Sequence, residues 1–132
     1  MKITVLLENT TARADMKTEH GLSLYIETEK HKILFDMGQT EIFAENAKKL
    51  GIDLSQVDVA VLSHGHYDHG GGLAKFLDIN NRATVYIHTE AFLPHYNGKH
   101  RYIGLETSLS AHPRIIFTED IYRVCPSLCL FS

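Results

Sequence analysis

The segment His64-Gly65-His66-Tyr67-Asp68-His69 puts three imidazoles and a carboxylate into one short stretch of chain. Imidazole nitrogen together with carboxylate oxygen is the donor set expected for Zn, Mn or Fe rather than for Ca or Mg. In extended backbone, residues two apart point the same way. His64, His66 and Asp68 can therefore converge, and His69 turns in as the chain enters a helix. Gly65 and Gly70-Gly71-Gly72 let the backbone fold closely around a small object. One ion cannot easily take four side chains from so short a loop. The expected arrangement is two divalent transition-metal ions, Zn before Mn or Fe, with His64 and His66 on one and Asp68 and His69 on the other. Nine His among 132 residues make this pattern a chance event of about two in a thousand. A local His cluster without a metal is the competing reading.

The elements that must hold these residues follow from periodicity. Lys2 to Leu7 reads as a strand, and Leu22 to Glu27 alternates with Leu22, Leu24 and Ile26 on the expected buried face. Glu29-Lys30-His31 reads as a turn into a third strand, Lys32 to Asp36. Thr40 is the expected N-cap of a helix whose Phe43, Ala47 and Leu50 share a face, with Gly51 closing it. Val57 to Leu62 is almost wholly apolar and reads as a strand buried on both faces. The His-rich segment begins directly after it. A short helix over Gly72 to Leu77 and a strand over Thr84 to His88 follow, then at most a helical turn over Glu90 to Pro94. Beyond Tyr96 the pattern weakens, with strands expected at Ile115 to Phe117 and Leu128 to Phe131 and a less defined one at Ile121 to Val124. The order predicts an α/β fold with a mixed sheet and flanking helices in a single domain. Its site lies at the C-terminal end of a buried strand, where open α/β sheets place ligands.

Composition narrows the partners. At 44% apolar the chain can bury a core, and a net charge of −3 lacks the basic footprint of a nucleic-acid binder. The apolar run Ile3 to Leu7 is too short for a signal peptide or a membrane span. Cys125 and Cys129, without an export signal, fit a reducing cytoplasm and read as core thiols rather than a zinc knot. The expected partner is a small-molecule substrate.

Ser63-His64-Gly65-His66-Tyr67-Asp68-His69 after an apolar strand resembles the signature of the metallo-β-lactamase superfamily. Leu34-Phe35-Asp36-Met37-Gly38 resembles the family's earlier strand end, and Gly51-Ile52-Asp53 with Val57-Asp58-Val59 its approach to the motif. Val5 to Thr10, Glu19 to Ser23, Gly70 to Leu73 and His88 to Phe92 resemble the branch of dihydropterin and ribofuranosylaminobenzene phosphate synthase-like proteins. The resemblance implies an αββα sandwich, of which this chain is the N-terminal half. It also implies that Asp36 supports the metals from behind by accepting a hydrogen bond from a ligand imidazole, and that Asp68 holds a metal and orients the nucleophile. The chemistry implied is hydrolysis of an ester, phosphoester, lactone or thioester by a metal-bound hydroxide. Family members continue for about as long again, and that second half supplies the remaining ligands. The chain stops at Phe131-Ser132 inside an expected strand and reads as cut. A half sandwich exposes a sheet face, so a homodimer, a domain swap or association with the missing half is expected.

The remaining candidates are weighed less heavily. His20, Tyr67 and His88 are expected to line a substrate pocket, although Glu19-His20-Gly21 reads equally as a polar loop. His88 is not expected to be a ligand, and His95, His100 and His112 read as solvated. Lys99-His100-Arg101 reads first as a basic solvated loop and second as a binder of substrate phosphate. Two functions remain, a metal-dependent hydrolase and an incomplete metal-binding or interaction module without turnover.

Overall fold

A computed structural model describes residues 1–131. Six strands form one mixed sheet in the order β1-β2-β3-β4-β5-β8. Here β1 is Lys2–Leu7, β2 Ser23–Glu27, β3 Lys32–Phe35, β4 Val59–Leu62, β5 Thr84–His88 and β8 Ile115–Thr118; a helical turn α2 spans Tyr67–Gly70, and β6 (Tyr96–Asn97) and β7 (Arg101–Tyr102) form a separate two-stranded sheet. The first three strands pair antiparallel, and β3, β4, β5 and β8 run parallel. The turn from β2 to β3 is held by the Thr28 hydroxyl, which accepts the N–H groups of Lys30 and His31.

One face of the sheet carries the core. Tyr25, Leu34, Ala60 and Val85 are in cross-strand register and buried. They pack with Phe43 and Ala47 of helix α1 (Ile42–Lys49) and Leu73, Phe76 and Leu77 of helix α3 (Leu73–Ile79). The face of β2 is the reverse of the one its apolar residues predict. Ser23 and Tyr25 are buried, while Leu24 and Ile26 are half-buried. The reason is that the helices cover only the first face. Leu24 lies in register with Val5, Phe35 and, through it, Val61 on the second. That face is covered in part by a hairpin of β9 (Ile121–Cys125) and β10 (Leu128–Phe131), with the ring of Tyr122 5.4 Å from that of Tyr86. Val5 and Ile116 remain 51% and 37% exposed there.

Helix α1 starts at Ile42 with Glu41, one residue beyond the expected Thr40, in the N-cap position; the Thr40 hydroxyl still accepts the Ile42 N–H and donates to Glu19. Glu19 also accepts the N–H groups of Gln39 and Thr40, so it fastens the approach to the helix. Gly51, at φ 70°, ends it in the left-handed region that glycine adopts without strain. The cysteines are not core thiols. Both sit on the β9–β10 hairpin, Cys125 half-buried with its Sγ 3.4 Å from His31 Nε2 and Cys129 exposed. The Cys125 thiol is lowered to about 7, chiefly by hydrogen bonds from Ser127 and then by His31. Among the described residues, no helix is long and apolar enough to cross a membrane.

Candidate metal centre

The site forms where two neighbouring parallel strands end. Phe35 of β3 pairs with Val61 of β4, and Asp36 and Ser63 are the first residues beyond the two strands, with the Asp36 N–H donating to the Val61 C=O at 3.0 Å. Asp36 leaves its strand at φ 58°, a turn that aspartate tolerates better than most side chains. Its carboxylate is fully buried. It accepts the Ser63 N–H at 2.8 Å, the Ser63 hydroxyl at 2.7 Å and His69 Nδ1 at 2.7 Å. Burial of the carboxylate is thus matched by three donors.

This network assigns the imidazoles. A carboxylate only accepts, so His69 carries its proton on Nδ1. The Ser63 hydroxyl spends its proton on Asp36, so its oxygen accepts from His64 Nδ1 at 2.9 Å. In both rings Nε2 is left as a free lone pair, the state a metal requires. Burial first, and then the nearby His69 and His66, hold the His64 imidazole below its ordinary pKa, which favours that neutral form.

Asp68 and His69 do not come from extended chain. Tyr67–Gly70 is a helical turn, α2, that begins right after His66. The turn is fixed by the Met37 N–H donating to His69 C=O at 2.7 Å and by a bridge between Gly38 and Gly70. The glycines serve this packing. A Cβ on Gly71 would stand 2.2 Å from the Gln39 carbonyl oxygen, and one on Gly65 2.0 Å from that of Ala91. They permit close approach of chain to chain.

Ligand atoms of His64, Asp68 and His69 lie within 4.8 Å of one another. The expected pairing of His64 with His66 differs from this grouping, because the helical turn carries Asp68 and His69 toward His64. His66 lies beside the group, its ring edge-on to His64 with centroids 4.7 Å apart. His20, from the loop before β2, joins the site, its Nε2 3.2 Å from Asp68 Oδ2. His88 is at the end of β5, where its Nδ1 accepts the Glu90 N–H at 3.2 Å. With Ser63, Gly65 and His95 it lines an adjoining cavity of about 270 Å³.

His95 is half-buried rather than solvated. Its ring is edge-on to His66 at 5.2 Å, and its Nε2 is buried without a partner among the described residues. His100 is exposed as expected, and His112 is half-buried, accepting the Arg114 N–H. Sequence reasoning also missed the role of Ser63, although its place directly before His64 was the available signal.

The donor set fits a divalent transition metal. His64, Asp68 and His69 offer two imidazole nitrogens and a carboxylate oxygen, three ligands of the types that zinc sites use.

The family model of the metallo-β-lactamase superfamily matches residues 17–124. An uncharacterized protein of Methanocaldococcus jannaschii is 38% identical over 113 residues, covering 83% of this chain and 43% of that protein. From the same organism, a 7,8-dihydropterin-6-methyl-4-(β-D-ribofuranosyl)-aminobenzene-5'-phosphate synthase is 39% identical over 84 residues, 57% of this chain and 28% of the synthase. Among solved structures, a metal-dependent hydrolase of the β-lactamase superfamily superposes with a TM-score of 0.79 at 32% identity, covering 98% of this chain and 46% of that one. The chain spans less than half the length of each of these relatives. By its matched segment, its mixed sheet and its motif, the chain belongs to the metallo-β-lactamase superfamily.

Proposed function

We propose that this chain carries the metal-binding half of a hydrolase that acts on an ester or phosphoester-type small molecule. The observation that carries the reading is the buried Asp36 carboxylate, which sets the tautomers of His64 and His69 together and leaves Nε2 free in both, with ligand atoms of these two rings and of Asp68 within 4.8 Å of one another. His64, Asp68 and His69 would hold the first ion. His66 and His20, adjacent to them, are the nearest further donors for a second. Zn is the first expectation, with Mn or Fe next. When bound, such an ion supplies Lewis acidity that makes water a nucleophile near neutral pH. Asp68 orients that water, and Asp36 keeps the rings in place. The phosphate in the synthase relative's name is consistent with a phosphoester substrate.

A second reading rests on the ligand count. Three residues converge among those described, and a two-ion centre needs more. The chain would then be a non-catalytic metal-binding or interaction module whose open face at Ile3, Val5 and Ile116 is covered by a second αβ half or a second copy.

Turnover separates the two. The zinc- or manganese-loaded chain is to be assayed on p-nitrophenyl phosphate, bis-p-nitrophenyl phosphate and a p-nitrophenyl ester, alone and with the C-terminal half of a relative. The hydrolase reading expects hydrolysis that Asp68→Asn lowers by about a hundredfold or more. Metal binding with no turnover under either condition leaves the module reading.

A further inference from the structure

The basic tip that follows His95 is not a free loop. Two short strands, β6 (Tyr96–Asn97) and β7 (Arg101–Tyr102), make a hairpin whose base is fastened to the metal-binding turn. The Ile103 C=O accepts the Tyr67 N–H at 2.9 Å, and the Ile103 N–H donates to the His95 C=O at 2.9 Å. Leu105, which follows, is buried against Gly70. The arm therefore holds Arg101 at the motif. Its Nη2 donates to the Tyr67 hydroxyl oxygen at 3.2 Å, and its guanidinium carbon lies 5.9 Å from the centre of the Tyr67 ring.

Two properties of this pair matter. Among the described residues no carboxylate pairs with Arg101, although Arg13 and Arg82 both have acidic partners. The Tyr67 oxygen already accepts from Arg101, so its own proton must go elsewhere, and no protein acceptor takes it among the described residues. Arg101 has further N–H groups facing outward and no acceptor of its own. The pair presents donors only, on the residue that separates His66 from Asp68. A group that supplies only acceptors and a negative charge is its complement.

We propose that Arg101, braced on Tyr67, binds an oxyanionic group of the substrate, a phosphate or a carboxylate, and so selects anionic substrates for the metal centre. The proposal deepens the hydrolase reading and rests on it for the identity of the neighbouring site. Arg101 is a substrate-recognition residue in this account, and Tyr67 its positioning residue.

The test is an NMR titration of the 132-residue chain, metal-free and zinc-loaded, with inorganic phosphate followed by ³¹P and with ¹³C-acetate. Saturable binding is expected in both forms. Arg101→Ala should weaken it by about tenfold or more, and Arg101→Lys by less, because lysine keeps the charge but not the fork. Tyr67→Phe should weaken it several-fold. Arg82→Ala, which removes an arginine already paired with Asp58, should leave it unchanged. The probe that saturates tells phosphate from carboxylate. Zinc content measured on each variant keeps the two readings apart. A wild-type chain that takes no zinc defeats the metal-centre reading, while the metal-free titration still decides the role of Arg101. The proposal is overturned if neither probe saturates, or if Arg101→Ala binds as the wild type does. It is equally overturned if Arg101→Ala loses zinc or thermal stability as a ligand deletion would, because the arm is then structural only.

Discussion

Asp36→Ala is expected to lower both folding stability and metal affinity, through one residue that touches no substrate. The change leaves the Ser63 N–H, the Ser63 hydroxyl and the His69 Nδ1–H without their acceptor. Each such loss in a buried site costs about 1–3 kcal/mol, partly recovered where water enters. Alanine at φ 58° adds strain that aspartate escapes. A net loss on the order of 3 kcal/mol is expected for the metal-free chain, read as a lower urea midpoint. Zinc affinity should fall by about 10–100-fold, the usual effect of deleting a residue that orients metal ligands. Asp36→Asn should recover part of the stability but little of the affinity, since its amide sets a donor against donors. A variant with wild-type zinc affinity would show that Asp36 does not orient the imidazoles.

Gly71→Ala tests space rather than conformation. Gly71 has φ −62°, which any residue adopts. Its missing Cβ would stand 2.2 Å from the Gln39 carbonyl oxygen and 2.5 Å from that of Tyr67. Both are backbone atoms that cannot swing aside, so the turn bearing Asp68 and His69 must shift. A destabilisation on the order of 3 kcal/mol is expected, with a fall in zinc affinity. Gly51→Ala is the contrasting control. It has φ 70° and nothing within 4 Å of its Cβ, so its cost should be near 1 kcal/mol with no effect on metal. Equal effects of the two substitutions, on both readouts, would contradict the packing described for the glycine run.

Much of the fold was legible because its signals are local. The apolar run before His64 and the Phe43-Ala47-Leu50 spacing each fix an element without reference to the rest. The buried face of β2 was not legible. Leu22, Leu24 and Ile26 are the more apolar set, yet Ser23 and Tyr25 face the helices. Ser23 is satisfied there by donating to the Asp36 C=O at 2.8 Å. Both faces of the sheet are apolar, so alternation could not say which one the helices cover. The hairpin over Tyr96 to Tyr102 left no trace, since strands of two residues have no period.

In the site, residue types were readable and their partners were not. That His64, Asp68 and His69 gather depends on a helical turn at Tyr67, whereas extended geometry brings His64, His66 and Asp68 together. His95 looked like loop sequence. Its half-buried place beside His66 goes with the bond from the Ile103 N–H to its C=O. The reach of Arg101 to Tyr67 likewise depends on that arm.

The central claim is that His64, Asp68 and His69 form a ligand set for a divalent transition metal. X-ray absorption at the zinc edge of the zinc-loaded chain, with metal content measured in parallel, tests it directly. The account predicts bound zinc with nitrogen and oxygen neighbours at about 2.0–2.1 Å, including imidazole scattering, and no sulfur. It also predicts loss of that zinc in His64→Ala/His69→Ala with the fold retained by circular dichroism. Zinc held through sulfur, or equal zinc in the wild type and the double variant, would contradict it.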